Sequence, residues 1–303
     1  MRIGLVGAGA VGSLLAASLF HNSVPFQWLV RNPLRRKQLN WLSVEADGER
    51  RRFLLPIDCL HASLEELPEV DWYILVVKAQ HVAELLMQLP PGKPSLVVAN
   101  GLHAGPLHLG LLYGGARLDE AGSVHAGALN SLWTGPLGID LINIAALAGE
   151  LKLLLELLAA PWLTGHYAPD IRQRMWHKLA LNCVVNPLTA LLDCPNGALL
   201  PQLASPLVNG VLHEVMAVAA AELGIQPVPP GVELLHKDLV ELVTATATNS
   251  SSMREDLRHG RDSEIGVLNA AVAARGQSLG VRCPLNKLLA STVLTIAETN
   301  RGG

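Results

Sequence analysis

The chain has 303 residues, of which 50% are hydrophobic and 16% charged, with a formal net charge of −3 and a mean hydropathy of +0.32. This length suggests two domains, each able to bury its own core. The charge balance argues against a nucleic-acid partner, and no uninterrupted apolar stretch is long enough to predict a membrane span. The four cysteines have neither C-x-x-C spacing nor neighbouring histidines, so we expect free thiols in a cytoplasmic protein, with no metal site.

The first twelve residues predict a dinucleotide-binding turn. An apolar run over residues 3–6 is a predicted strand, Gly7, Gly9 and Gly12 follow it, and residues 13–19 are a predicted helix. In this order the first glycine permits a tight turn, the second admits a pyrophosphate, and the third lets helix and strand pack closely. The helix N-terminus adds partial positive charge. The glycines argue against a signal peptide; a methyltransferase-type glycine loop is left as an alternative.

The rest of the first half alternates short apolar runs with helical stretches, which indicates a doubly wound α/β sheet. Continuous apolar runs are typical of buried parallel strands. An amphipathic, core-facing segment is predicted over residues 139–163. The further predicted strands are 26–30, 72–77 and 96–99, and the predicted hairpins pair 43–45 with 51–55 and 124–126 with 131–134.

The pattern becomes helical near residue 168. We therefore predict a Rossmann-type NADP-binding domain over residues 1–168 and an all-helical substrate and catalytic domain over residues 169–303. Substrate is expected in the cleft between them. The predicted helices, separated by proline and glycine, are 170–186, 206–223, 232–250, 252–274 and 284–299.

Two basic residues favour NADP over NAD. An NAD-binding fold expects an acidic residue at the end of the second strand, but Arg31 stands there. A guanidinium suits a 2′-phosphate, whereas a plain ribose would leave it unpaired. Lys78 follows the third parallel strand and can reach the same end of the pocket. The alternative is that both are solvated loop charges.

A polar row on one predicted helix is the candidate catalytic feature. Lys178, Asn182 and Asn186 stand four residues apart among apolar neighbours, which places them on one helical face. Buried, such groups need partners, and a polar ligand would supply them. Burial would also lower the pKa of the lysine and suit it as general acid for ketone reduction. Pro187 is predicted to break this helix. The alternative is an exposed polar stripe.

Over nearly its whole length the chain resembles the ketopantoate reductase (2-dehydropantoate 2-reductase) family. The Lys–Asn–Asn helix and the spacing from Ser-Ser-Met to Glu are its specific features, whereas the glycine motif is generic. The motifs that carry the resemblance are Gly7-Ala-Gly-Ala-Val-Gly12, Val77-Lys78-Ala79, Asn100-Gly101, the segment from Lys178 to Ala190, Cys194-Pro-Asn-Gly197, and Ser251-Ser252-Met253 with Glu264-Ile265.

The resemblance implies NADPH-dependent reduction of ketopantoate to D-pantoate for coenzyme A synthesis, with Lys178 as proton donor to the C2 ketone. Lys178 and Glu264 are the implied catalytic residues. Asn100 would lie between nicotinamide and substrate, and Glu264 would contact the cofactor ribose. The implied substrate-binding residues are Asn100, Lys178, Asn182, Asn186, Asn196, Asn249 and Ser252. The implied cofactor-binding residues are Gly7, Ala8, Gly9, Ala10, Val11, Gly12, Arg31, Lys78, Asn100, Ala116 and Glu264.

The chain also departs from that family. The segment after Asn100-Gly101 is several residues shorter than expected, Gly266 stands where an acidic residue often follows, and Arg254 replaces an apolar residue after Met253. A monomer or homodimer with a small keto-acid substrate is expected, with neither nucleic acid nor membrane as partner. Two other functions are left open: reduction of another 2-keto or imino acid, and a non-catalytic NADP-binding regulator.

A hydrolase is disfavoured. The G-x-S-x-G pattern around Ser278 follows a predicted helix, whereas a nucleophile elbow needs a strand before the serine.

Overall fold

A computed structural model describes residues 1–103, 107–127, 130–137, 144–225 and 231–302. The chain forms two compact units. The first comprises Met1–Ala99 and Ala104–Ile171, and the second comprises Asn100–His103 and Arg172–Gly303. The short segment Asn100–His103 therefore belongs with the helical unit, although the sequence on both sides of it belongs to the first.

The first unit contains twelve strands and four helices among the described residues, and its strand and helix order is that of an α/β fold. The strands are β1 Ile3–Val6, β2 Phe26–Leu29, β3 Trp41–Ala46, β4 Glu49–Leu54, β5 Leu60–His61, β6 Trp72–Leu75, β7 Ser95–Val98, β8 Leu107–Tyr113, β9 Ala116–Leu118, β10 Val124–Ala126, β11 Asn130–Leu137 and β12 Leu163–Tyr167. The helices are α1 Ala10–His21, α2 Pro33–Gln38, α3 Val82–Gln88 and α4 Ile144–Leu158.

Eight strands form the main sheet in the order β12-β11-β8-β7-β6-β1-β2-β5. β1 lies between β2 and β6 and is parallel to both. The strand order reverses at β1, and ligands of doubly wound sheets bind at the carboxyl ends of the strands at such a point. The residues of β1 and β6 are buried throughout because helices and loops cover both faces of the sheet. The predicted Rossmann-type sheet is confirmed.

A second sheet of four strands, in the order β4-β3-β10-β9, adds to the prediction. The predicted hairpin of β3 and β4 is confirmed, and Asp47 and Gly48 both take positive φ angles at its turn. The predicted hairpin of 124–126 with 131–134 is wrong. β10 pairs with β9 and β3, whereas β11 belongs to the main sheet beside β8 and β12. The strands β8, β9 and β12 were not predicted, so each of the two segments had only the other as a predicted pairing partner.

The second unit is helical, as predicted. One boundary is wrong: the predicted helix over 252–274 is two helices, because Gly260 takes a φ of +62° that ends the first of them. The helices are α5 Ile171–Leu191, α6 Pro206–Leu223, α7 Gly231–Ala245, α8 Ser252–Arg258, α9 Asn269–Ser278 and α10 Pro284–Gly302, with short 3-10 turns at Asn196–Gln202 and Glu264–Gly266.

The predicted break at Pro187 is also wrong, because α5 continues through it to Leu191. A proline inside a helix cannot donate to the carbonyl four residues earlier, here that of Cys183. The side-chain nitrogen of the buried Asn269 donates to this carbonyl at 2.9 Å instead. Asn269 also donates to Asn286 at 3.0 Å, and Asn286 donates to Glu214. A tertiary contact thus replaces the missing backbone hydrogen bond.

Among the described helices, α6 is long and apolar enough to cross a membrane by length and composition alone. Its residues Val208, Val211, Leu212 and Val215 are buried against the rest of the protein. A core helix has the same composition, and this is the role that the packing of α6 gives it.

Candidate functional site

The glycine turn after β1 has the geometry that each glycine predicts. Gly7 has a φ of +112°, which favours glycine, and a Cβ there would strike the Val76 carbonyl oxygen. A Cβ on Gly12 would strike the Gly7 carbonyl oxygen, so the close packing of α1 on the turn needs a glycine. Beside Gly9 there is open space within 4 Å. The turn is therefore closed on its protein side and open where a ligand would approach.

The N-terminus of α1 faces this opening without a side-chain cap. Gly9 is the N-cap, and it has no side chain that could accept from the first-turn N–H groups. Those N–H groups, contributed by residues such as Ala10 and Val11, have no acceptor within the helix. A phosphate satisfies them and gains from the helix dipole. The Trp28 indole donates to the Gly7 carbonyl oxygen at 2.9 Å and so fixes the turn. These features fit a dinucleotide pyrophosphate.

The predicted 2′-phosphate residues follow the two strands that flank β1 in the sheet. Arg31 is exposed and comes two residues after β2, while Asn32 caps α2 by accepting from Leu34 and Arg35 backbone N–H groups. Lys78 is half-buried and begins the 3-10 turn that follows β6. Both positions lie beyond the carboxyl ends of parallel strands, as predicted. Ala116 lies in β9 of the second sheet, where it packs against the hydrophobic core.

Sequence reasoning missed Arg35. Its guanidinium donates to the Ala8 carbonyl of the glycine turn at 3.4 Å, to the Ser13 hydroxyl of α1 at 3.0 Å and to the Gly122 carbonyl at 3.2 Å. Burial lowers the pKa of Arg35, yet an arginine stays charged at any physiological pH. This cation therefore braces the glycine turn. The signal was its place four residues after Arg31, in the first turn of a helix that Asn32 caps.

In the second unit, α5 carries Lys178, Asn182 and Asn186 on one face, as the four-residue spacing predicts. Lys178 and Asn182 are half-buried and Asn186 is buried, so this row is not a solvent-exposed stripe. Burial lowers the pKa of the Lys178 ammonium to about 8, and the carboxylate of Glu264 opposes part of that shift. A lysine with this pKa can donate a proton near neutral pH.

Glu264 and Asn100 lie together at this place. The Asn100 amide nitrogen donates to the Glu264 carboxylate at 3.2 Å. The charge of the same carboxylate raises the Lys178 pKa against the effect of burial, so Glu264 lies within electrostatic range of the lysine. Glu264 begins a 3-10 turn whose carbonyl accepts from Val267 and Leu268. Three predicted site residues, far apart in sequence, therefore form one cluster of ammonium, carboxylate and carboxamide.

Gly101 makes this cluster possible. The sequence identifies it as part of the Asn100-Gly101 motif but does not predict this role. It has a φ of +97°, and a Cβ there would lie 2.7 Å from the Val267 carbonyl oxygen. The next residue, Leu102, donates its N–H to the same carbonyl at 3.0 Å. Because a side chain at residue 101 would force the segment away, the glycine is what lets Asn100 reach Glu264.

Asn196 has one unsatisfied buried atom. Its amide nitrogen donates to the Thr246 hydroxyl at 2.9 Å, and that hydroxyl in turn donates to the Leu242 carbonyl, which fixes the orientation of the carboxamide. Its oxygen Oδ1 is buried and accepts no hydrogen bond from the described residues. A buried acceptor without a donor is costly. A ligand hydroxyl at Asn196 would remove that cost.

The remaining predicted carboxylate-binding residues lie where α7 leads into α8. Asn249 is exposed, and its backbone carbonyl accepts from Asn196 N at 3.0 Å. Ser252 is the exposed first residue of α8, whereas the helix cap is the buried Ser251, which accepts from the Arg254 N–H. Backbone contacts therefore hold the 196 and 249 segments together. The roles of all these side chains stay predictions.

Family models cover most of the chain. The model described as "Ketopantoate reductase PanE/ApbA" matches residues 3–138, and that described as "Ketopantoate reductase PanE/ApbA C terminal" matches residues 170–297. A protein from Vibrio cholerae named 2-dehydropantoate 2-reductase is 28% identical, with 99% of each chain covered. A protein of the same name from Pyrobaculum aerophilum is 35% identical, with 94% of each chain covered.

The fold is also shared with a solved structure, the ternary structure of D-mandelate dehydrogenase with NADH and anilino(oxo)acetate. That structure has a TM-score of 0.86 and 22% identity, and covers 99% of this chain and 100% of its own. Fold and family matches together define an oxidoreductase built from a Rossmann-type unit and a helical unit. The chain belongs to the ketopantoate reductase PanE/ApbA family, as its motifs predicted.

Proposed function

We propose that the protein reduces 2-dehydropantoate to (R)-pantoate with NADPH, as a cytoplasmic step toward pantothenate and coenzyme A. The observation that carries this function is the cluster in the second unit: Lys178, with its pKa lowered to about 8, beside Glu264, which holds Asn100. The names of the relatives, 2-dehydropantoate 2-reductase, support the substrate.

We assign the nicotinamide cofactor to the first unit and the substrate to the second. The pyrophosphate would lie on the open side of Gly9, at the uncapped N-terminus of α1. The neighbouring residues Ala8, Ala10 and Val11 would also contact it. When bound, NADPH supplies the hydride that reduces the C2 ketone. Arg31 and Lys78 would pair with its 2′-phosphate, and Ala116 is a further proposed contact. Glu264 would accept from a ribose hydroxyl of the cofactor.

Lys178 would donate its proton to the C2 oxygen as negative charge develops there. Because burial disfavours its charged form, transfer of this proton is easier than from a solvated lysine. Glu264 keeps part of the population protonated, since its carboxylate raises the lysine pKa. Asn100, fixed by the same carboxylate, would orient the ketone. Asn182 and Asn186, which follow Lys178 along α5, would bind the polar groups of the substrate.

The other polar groups suit the two ends of ketopantoate. Ser252 and Asn249 would bind the carboxylate. The buried Oδ1 of Asn196 requires a hydrogen-bond donor, which the terminal hydroxyl of ketopantoate supplies. A 2-keto acid without that hydroxyl leaves the acceptor unsatisfied, and sites built around a hydrogen bond reject such analogues strongly.

Reduction of another 2-keto acid is the second candidate, favoured by the shared fold of D-mandelate dehydrogenase. The test is NADPH oxidation, followed by absorbance, with ketopantoate, trimethylpyruvate and phenylglyoxylate, and with NADH in place of NADPH. Trimethylpyruvate differs from ketopantoate by the hydroxyl alone. We expect kcat/KM for ketopantoate to exceed that for trimethylpyruvate on the order of 100-fold or more, and Asn196→Ala to shrink the ratio.

A higher kcat/KM with phenylglyoxylate would favour the second candidate. Bound NADPH without oxidation by any keto or imino acid would instead indicate a non-catalytic regulator.

A further inference from the structure

Arg254 is a buried cation that the proposed chemistry does not use. Only 9% of the residue is exposed, although it lies in the first turn of α8, where the helix dipole disfavours positive charge. A buried guanidinium there needs compensation from outside its own helix. Asp193, two residues beyond the end of α5, provides it.

Arg254 makes hydrogen bonds to both the side chain and the backbone of Asp193. Arg254 Nε donates to the Asp193 carboxylate at 3.0 Å, and its Nη2 donates to the Asp193 backbone carbonyl at 2.9 Å. Its Nη1 donates to the Ser250 hydroxyl at 3.4 Å. Arg254 therefore binds both the side chain and the backbone of one turn. The exposed Arg258 binds the same carboxylate but makes no contact with that backbone among the described residues.

Asp193 is held in an uncommon backbone conformation. Its φ of +49° lies in the left-handed region, which aspartate tolerates better than most residues but which still needs support from its surroundings. The two guanidinium groups hold the pKa of its carboxyl down, at about 2, so the carboxylate stays charged at any physiological pH. The Cys194 N–H donates to the Thr189 carbonyl at 3.1 Å and closes the end of α5 around Asp193, while Arg254 fixes this turn to α8.

The chain that leaves α5 here carries Asn196. Backbone N–H groups of Asn196 and Gly197 donate to the carbonyls of Asn249 and Ala247, both at 3.0 Å. One end of the segment 193–197 is thus fixed to α8 through Arg254. The other end is fixed to residues 247 and 249, which precede α8. The carboxamide with the unsatisfied Oδ1 belongs to Asn196, at the second of these attachments.

We propose, on the basis of the function proposed above, that Arg254 is a positioning residue for substrate specificity. By fixing the Asp193 turn to α8, it sets the distance between Asn196, which would accept from the substrate hydroxyl, and Ser252, which would bind the carboxylate. Arg254 acts through these residues and touches no reacting atom.

The experiment compares Arg254→Met with Arg261→Met, a matched control. Arg261 forms an ion pair with Asp256 of the same helix and does not contact the turn among the described residues. We expect Arg254→Met to raise KM for ketopantoate at least about tenfold, as loss of a charge-assisted hydrogen bond does, with kcat and the Kd of NADPH little changed. KM for trimethylpyruvate should change much less. Arg261→Met should resemble the wild type.

Hydrogen exchange tests the positioning without any substrate. The amides of Asn196 and Gly197 should exchange faster in Arg254→Met but not in Arg261→Met. Asp193→Asn is the milder variant should Arg254→Met fail to fold, because asparagine accepts the left-handed conformation. Arg254→Lys should restore part of the KM, since an ammonium can meet the carboxylate but not the carbonyl as well.

Unchanged KM and unchanged exchange in these variants would overturn the inference, as would a parallel loss of kcat and NADPH binding in a variant that remains folded. Absence of turnover in the wild type would instead refute the proposed function, and the exchange data would still decide whether Arg254 positions the turn.

Discussion

The two units differ in which atoms form their candidate sites. In the first unit the glycine turn presents backbone N–H groups. Its shape requires that Gly7 and Gly12 have no Cβ, while Gly9 borders open space. In the second unit the site consists of side chains, Lys178, Glu264 and Asn100, brought together from distant parts of the chain. A site made of backbone groups can bind the same cofactor whatever the substrate is, whereas a site made of side chains determines which reaction takes place. Changes at the glycine turn and at Lys178 should therefore separate cofactor binding from chemistry.

The largest effect is expected at Lys178. Lys178→Ala should lower kcat by about 100-fold or more, the usual loss when a general acid is removed, with the Kd of NADPH nearly unchanged. The exposed Lys237 of α7 offers a matched control, and Lys237→Ala should keep wild-type kcat. Stopped-flow turnover and fluorescence titration with NADPH measure the two quantities. A kcat within a few-fold of the wild type would exclude Lys178 as the proton donor.

At Gly12 we expect NADPH binding to be lost, whereas Lys178→Ala should leave it nearly unchanged. Gly12→Ala places a methyl group against the Gly7 carbonyl oxygen, so the glycine turn must shift. Overpacking of this kind costs about 1–3 kcal/mol of stability, and NADPH binding should be lost at concentrations that saturate the wild type. Gly149 of α4 is the control because a Cβ there meets nothing within 4 Å. If Gly12→Ala bound NADPH normally, the backbone of this turn would not be the cofactor site.

A smaller effect in the first unit distinguishes the two nicotinamide cofactors. Arg31→Gln should weaken NADPH binding by about tenfold, the value of one charge-assisted hydrogen bond of roughly 1.5 kcal/mol, and should leave NADH binding unchanged. Isothermal titration with both cofactors provides its own control. Equal loss for NADH and NADPH would show that Arg31 does not read the 2′-phosphate.

The smallest effect is a displacement of the pH profile. Lys178 must be protonated to act as an acid, so reduction should be constant well below its pKa of about 8 and decline as the pH rises through that value. Glu264→Gln removes a carboxylate that raises this pKa. The falling limb of kcat should therefore move to lower pH. A limb that moved to higher pH would contradict the assigned electrostatics.

The sequence predicted features that depend on local rules. The glycine turn between β1 and α1, the buried parallel strands beside it and the row on α5 follow from spacing and periodicity, and the structure confirms them. Features that depend on distant partners were missed. β10 pairs with β9 and β3 instead of β11, and the contact between Arg254 and Asp193 joins residues 61 positions apart. No local pattern records such a partner.

The same limit explains the wrong prediction at Pro187. Proline chemistry correctly indicates a missing donor at the Cys183 carbonyl, but not that Asn269 replaces it. For the site, the family motifs predicted Lys178, Glu264 and Asn100 as site residues, and the structure brings these three together. The sequence did not predict that Gly101 and Val267 bring Asn100 to Glu264, since that contact depends on a close approach of two backbones.

The hydrogen bond that Asn269 donates to α5 has a consequence for how the protein folds during its synthesis. Asn269 lies 86 residues after Cys183, and its own partner Asn286 comes 17 residues later. While a ribosome is still making the intervening segment, the helix that carries Lys178 lacks one of its hydrogen bonds at the proline. Nascent chains stalled before residue 269 should therefore hold this helix less firmly than the finished protein, and Lys178 reaches its final setting only after residue 269 has been made.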